Sequence, residues 1–329
     1  MIIVQISDAR EQYVKSAIDS SALPVGARVP LRYDTRWVAS DIVKAVQRGD
    51  QLDDLMLCHL SGNTGNLEHA RSVPIRLASV MSAEVKGAFV VIEARAGEFL
   101  EADFIRAVAD GPIAGAVLER PREGAFVYHA TTDIEGAAAT DPDLVRGWQQ
   151  AVEVLGGSES MEAVHFCLLE GVRGLDGAFV PFDASCALSL QSDCDYNVPL
   201  HSVSLRSSVG GKTAIVTLTV DQEVYSLRDT PDFQLGRRFD SRQVGIKSKA
   251  TDRKVEGSIV LASSDPLMPH VSLRGVVHPK PFSAILRRVP LGLGAAIAAS
   301  PATMPDDWPL WAKLTPLIVG SIIVAVSGG

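Results

Sequence analysis

Apolar residues along the first half of the chain fall into two alternating textures. IIVQIS, RVPLRY, LDDLMLCHL, GAFVVIEAR and IAGAVLER are short β-branched or continuous apolar runs, and such runs read as strands. Between them, DAREQYVKSAI, TRWVASDIVKAVQRG, EFLEADFIRAVAD and DPDLVRGWQQAVEVLGG repeat apolar positions at helical spacing. Asp34 stands where the second of these helices would be capped and Gly49 where it would stop. Pro142 occupies the first turn of the last helix, and a double glycine closes it. This alternation predicts an α/β amino-terminal domain over residues 1–180 with a mixed, largely parallel sheet. The MSAEVKG and RPREG links read as hairpins, which is why the sheet is expected to be mixed.

After GGSESM the texture changes. EAVHFCLLEG still reads as part of the first sheet, and the boundary falls within FDASCALSLQSDCDYN. HSVSLRSS, KTAIVTLTV, EVYSLRD, GSIVLAS and HVSLRGVV then alternate apolar and polar positions between glycine-bearing or polar turns. A mostly-β domain, sandwich or barrel-like, is predicted over residues 198–289.

Residues 290–329 form an apolar carboxyl-terminal segment. Trp308, Trp311 and Lys313 precede an apolar run that holds Ile318, Ile322 and Ile323, an order that resembles an interfacial belt. The uncharged stretch from Leu314 onward has 16 residues. As a helix it would reach about 24 Å, against about 30 Å of bilayer hydrocarbon. Contact with a membrane, or packing at a subunit or core interface, is therefore expected before full spanning.

Composition narrows the picture. A length of 329 residues fits two folding units, and 47% hydrophobic residues with a mean hydropathy of +0.16 allow a large core. With only 6% aromatics, that core is built mainly from Val, Ile, Leu and Ala. No repeat of 20–50 residues is visible, which excludes solenoids and propellers. The start, MIIVQISDAR, lacks the basic region and long apolar stretch of a secretory signal. Cys58, Cys167, Cys186 and Cys194 form no C-x-x-C pair and read as reduced thiols, a Cys186–Cys194 disulfide being the alternative. A cytoplasmic location, with tethering through the carboxyl-terminal segment, is expected.

The net charge of −8 is unevenly spread. Residues 1–162 hold 24 acidic and 15 basic side chains, residues 201–290 hold 8 and 14. Arg237, Arg238, Arg242, Lys247 and Lys249 sit in the densest basic stretch and are expected to make an electrostatic contact. Phosphates, acidic lipid or the acidic half of a neighbouring copy would suit it. That stretch offers one aromatic for stacking, Phe239, so nucleic acid is not an expected partner. Self-association is, with membrane contact through the carboxyl terminus second.

Candidate chemistry is sparse. GGKT in SSVGGKTAIVTL lacks the glycine four residues earlier and lies between two apparent strands, so it reads as a hairpin turn and not a phosphate loop. CHLSGNTGN ends the third strand, where an open α/β sheet places ligands. Its His59, Ser61, Asn63 and Thr64, with Ser7 and Asp8 at the end of the first strand, form the candidate ligand rim. Strand ends at Glu93/Arg95 and Glu119/Arg120 would share it if the strands were parallel neighbours. Seven scattered histidines show no metal-ligand spacing, and neither metal nor cofactor is expected. The leading expectation is a non-enzymatic two-domain assembly or effector protein whose apolar tail engages a membrane or another subunit. The alternatives are a structural subunit of a large homo-oligomeric shell or virion-like assembly, and a hydrolase or transferase using the His59–Ser61 loop.

Overall fold

The computed structural model describes residues 1–7, 19–61, 71–110, 124–130, 139–156, 165–205, 214–236, 238–263 and 270–280. Over these residues the protein is mostly β, arranged in three sheets. The first contains β1 (Ile2–Ser7), β2 (Arg28–Asp34), β3 (Leu55–Ser61), β4 (Arg71–Lys86), β5 (Phe89–Phe99) and β6 (Val127–His129), in spatial order β2-β5-β4-β3-β1-β6. Three helices among the described residues are α1 (Ser40–Arg48), α2 (Ala102–Asp110) and α3 (Leu144–Gly156).

The expected α/β domain with a largely parallel sheet is not what forms. Only β1 and β3 are parallel neighbours in this sheet; β1–β6, β3–β4, β4–β5 and β2–β5 are all antiparallel. The physical cause is the long β4–β5 hairpin, which turns at Gly87 with φ +60° and displaces the crossover helices a parallel sheet would need. β4 escapes a sequence reading because Pro74 argues against a central strand. Here the register with β3 slips beside it: Cys58 faces Pro74 and Leu57 faces Arg76, so Ile75 is extra. A bulge is where a ladder tolerates a residue with no N–H.

The second sheet contains β7 (His165–Leu169), β8 (Arg173–Gly174), β10 (Asp195–Ser204), β12 (Tyr225–Leu227) and β14 (Asp240–Ser248), ordered β12-β14-β10-β7 with β8 also on β10. The HFCLL run thus pairs with β10 and not with the first sheet. The third sheet, β13-β11-β15-β16-β9, is built from β9 (Leu188–Gln191), β11 (Ile215–Val220), β13 (Asp232–Gln234), β15 (Val255–Ala262) and β16 (Val271–His278). Leu200 and Ile246 of the second sheet share one buried cluster with Leu188, Val216, Ile259 and Leu273 of the third, as in a sandwich.

Ile2, Val4, Ile6, Leu55 and Leu57 of the first sheet belong to that same cluster, so one apolar core touches all three sheets. The opposite face of β1 and β3 turns Ile3, Met56 and Cys58 toward Ile105 and Val108 of α2, and Trp148 and Val152 of α3. Both faces of these strands are covered, which is why LDDLMLCHL reads as a continuous apolar run.

One charge is sealed inside. Arg76 is fully buried; its Nη1 donates to Ser20 O (3.0 Å) and Leu23 O (2.7 Å), its Nε to Gly97 O (3.1 Å), and its guanidinium lies 4.4 Å from the Phe99 ring centroid. A planar fork of five donors is the side chain able to serve three separate carbonyls at once. Arg76 thereby ties the segment before β2 to the middle of the sheet.

Candidate functional site

β1 and β3 run parallel with Ser7 opposite Leu60, so their carboxyl ends do share one rim. His59, between Ile6 of β1 and Val73 of β4, is 1% exposed, so its ring is buried within the protein. Ser61 closes β3; Asp8, Asn63 and Thr64 lie outside the described residues. Glu93 and Arg95 do not join this rim. Ser61 faces Arg71 on β4 whereas Arg95 faces Ser79, eight positions along the same strand and about 25 Å away. Glu119 and Arg120 lie outside the described residues.

The basic stretch is partly neutralised within the chain. Lys247 pairs with Asp193 at 2.7 Å, Arg242 with Asp240 at 3.3 Å, and the Lys249 amine donates to Gln222 O. Arg238 is exposed and unpaired among the described residues, while Arg237 lies outside them, as do Trp308, Trp311, Lys313, Ile318, Ile322 and Ile323. Among the described residues no helix is long and apolar enough to cross a membrane, and no group of His, Cys, Asp or Glu has the geometry of a metal site.

A groove with exposed carboxylates lies where the first sheet meets the second. Its volume is about 530 Å³, and it is floored by Val25, Leu144, Phe179, Pro181 and Phe182 and walled by Glu98, Asp141, Asp143 and Glu170. Its floor is held by two glycines in the left-handed region. At Gly26 (φ +91°) a Cβ would come within 2.8 Å of Phe182 Cδ2, and at Gly171 (φ +130°) one would touch the Phe179 ring at 3.4 Å. Bare backbone at both positions lets the rings lie flat against the chain. Phe179 remains 48% exposed and Val25 40%, an apolar surface of the kind that marks interaction sites.

The four carboxylates differ in what they already hold. Asp141, 4% exposed, accepts from Arg146 Nη2 (2.7 Å) and Nε (2.8 Å), and this pairing holds its carboxyl below the ordinary range. Burial pushes Glu170 up, but bonds from His201 and Arg173 outweigh it and leave its carboxyl lowered. Asp143 caps α3, accepting from the backbone N–H of Val145 and Arg146 at 3.1 Å. Glu98 accepts from Thr140 Oγ1 at 2.7 Å. Neither Glu98 nor Asp143 is ion-paired among the described residues, and both are exposed. The one cation lining the groove, Arg95, donates to Asp183 O (3.0 Å) and Ala184 O (3.1 Å). The groove therefore presents apolar rings beside two exposed carboxylates that are hydrogen-bonded but not ion-paired among the described residues. It lacks a nucleophile–base pair within the lining described.

Sequence reasoning missed this site because its walls come from positions near 25, 98, 141, 170 and 179. The local signal was LLEGVRGLDGAFVPFD, in which three glycines space two phenylalanines between apolar and acidic residues.

Neither of two other cavities is lined by Phe, Tyr or Trp. The first, about 620 Å³, is lined by Arg28, Cys186, His270 and Arg274. Arg28 is held by Glu93, Arg274 by Glu256 at 2.6 Å, and burial pushes the Cys186 thiol up, away from thiolate chemistry. All four cysteines are free. The second, about 720 Å³, mixes Lys249, Arg253 and Lys280 with Asp193, Glu223 and Asp252.

No protein-family model matches the chain, and no curated protein matches it. Among solved structures, the Bacteroides ovatus GH5 xyloglucanase in complex with a XXXG heptasaccharide is similar over 29% of this chain and 17% of its own, at 9% identity and a TM-score of 0.20. Tripeptidyl Peptidase 2 (TPP II) is similar over 42% of this chain and 11% of its own, at 12% identity and a TM-score of 0.24. The chain spans less than a fifth of either protein's length, and at these scores neither likeness carries an argument about fold or activity.

Proposed function

We propose that this chain is a non-enzymatic assembly or effector protein that works by docking a protein surface into the groove beside Phe179. The observation that carries this reading is the groove itself: exposed Phe179 and Val25 sit beside Glu98 and Asp143, exposed carboxylates with no ion pair among the described residues. Exposed apolar groups rimmed by charge favour a partner over a buried small substrate. The uneven division of charge between residues 1–162 and 201–290 supports assembly among copies, because opposite fields steer encounter. The apolar tail from residue 290, with Trp308, Trp311 and Lys313 at its start, supports a second contact with a membrane or another subunit.

Light scattering of the full chain across a concentration series tests the reading. Mass should rise with concentration, and Phe179→Ser should move the rise to higher concentration. A chain that stays monomeric throughout, or a Phe179→Ser variant indistinguishable from wild type, would count against it.

A further inference from the structure

We infer that the occupant of the groove is the β14–β15 turn of a second copy of this chain. The inference rests on the assembly reading above and adds which surfaces meet. The turn runs from Lys249 to Lys254 and is the charge complement of the groove: Lys249, Arg253 and Lys254 stand against a single acid, Asp252. Arg253 and Lys254 are exposed, and neither side chain has an ion-pair partner among the described residues. The exposed cationic turn thus carries the charge opposite to that of Glu98 and Asp143.

The second observation is that turn and groove join the same sheet: Phe182 bridges Leu188 of β9, Leu188 faces Gly275 of β16, and Gly275 faces Gly257, three positions after Lys254. Lys254 lies near enough to Asp183 to help hold its carboxyl down, behind the hydrogen bonds from Ala187 and Ser185. Asp183 directly follows Phe182, which floors the groove. A face that carries a cationic turn next to an anionic groove is complementary to itself. A two-fold axis then brings the turn of each copy to the groove of the other, the commonest symmetry of soluble oligomers. Phe179 supplies the apolar centre of the contact, and aromatic surface already accepts a guanidinium there: Arg173 lies 4.2 Å from the Phe179 ring centroid.

Charge exchange tests the pairing. The full chain is prepared as Glu98→Lys, and separately as the double variant Arg253→Glu with Lys254→Glu. Self-association of each, and of their equimolar mixture, is read by sedimentation in about 50 mM and about 500 mM salt. Each variant alone should associate at least about tenfold more weakly than wild type in low salt. The mixture should recover to within about twofold of wild type, because the mixed pair has one contact of native sign and one restored with reversed sign. Glu98→Gln, which removes charge without adding bulk, covers the case in which the lysine variant does not fold. Variants that associate like wild type, or a mixture no tighter than its components, would overturn this pairing and leave assembly to another surface. A wild-type chain that remains monomeric would overturn the assembly reading itself.

Discussion

His201 Nε2 lies 3.3 Å from Glu170 Oε2, joining β10 to the residue that follows β7 at the back of the groove. Both side chains are 12% exposed, and Arg173 completes the cluster around the carboxylate. His201 in turn lies against Trp148 of α3, with ring centroids 6.4 Å apart. A groove wall is thus fastened through one carboxylate to the second sheet and, through His201, to a helix of the first.

That fastening is pH-dependent with a definite sign. The folded-state pKa of Glu170 is lowered from its ordinary value of 4.5, so its contribution is present above that value and lost as pH falls through the folded pKa. Glu170→Gln should cost about 1–3 kcal/mol near neutral pH, through donors left with a poorer acceptor. Urea titrations of both proteins between neutral pH and about pH 3 should show the difference shrinking below the ordinary carboxyl range. A difference that stays constant over that range would contradict the assignment.

Arg76→Met should destabilise the protein by about 2–4 kcal/mol, since the carbonyls of Ser20, Leu23 and Gly97 lose their donor in a dry site. Arg76→Lys should recover only part of this, because a point cation cannot reproduce the fork. Chemical unfolding midpoints check both; equal stability of the lysine variant and wild type would remove the argument from geometry.

Gly26→Ala and Gly49→Ala separate backbone strain from groove packing. Both glycines have positive φ, +91° and +76°, but a Cβ at Gly49 would meet nothing within 4 Å, whereas one at Gly26 would drive into Phe182. Gly49→Ala should cost about 1 kcal/mol and leave association unchanged. Gly26→Ala should cost about 2–4 kcal/mol and weaken self-association, as strain and clash add. Equal effects at the two sites would show that Phe182 does not depend on Gly26.

A chain ending at Lys280 should still unfold in one cooperative transition. β16, the last described strand, is paired on both sides by β15 and β9, so its own pairing does not call on the tail. Circular dichroism during heating reads this directly; aggregation or a transition-free melt would place the tail in the core.

Local features of the fold were legible in the sequence and long-range ones were not. TRWVASDIVKAVQRG does contain a helix that stops at Gly49, and MSAEVKG does turn back on itself at Gly87, because both are fixed by residues next to each other. Asp34 shows the limit: it accepts from Arg36 N and caps the short 3-10 turn Thr35–Trp37, while α1 starts after Ala39 with no side-chain cap. Strand direction depends on which strand arrives as neighbour, and the Pro74 bulge concealed the strand that decides it. His59 marked the end of β3, yet with both faces of that strand covered its ring is buried whichever way it points. The groove was invisible for a further reason. Glu98, Asp143 and Phe179 sit at a strand end, a helix cap and a loop, and only the packing of the first sheet on the second brings them together.

Amide hydrogen exchange of the full chain, compared between dilute and concentrated samples, tests the pairing of groove and turn most directly. Amides of residues 171–183 and 249–254 should become protected together as concentration rises, and added salt should remove both effects in parallel. Concentration-dependent protection confined to other segments, or protection at one of these two without the other, would contradict the pairing.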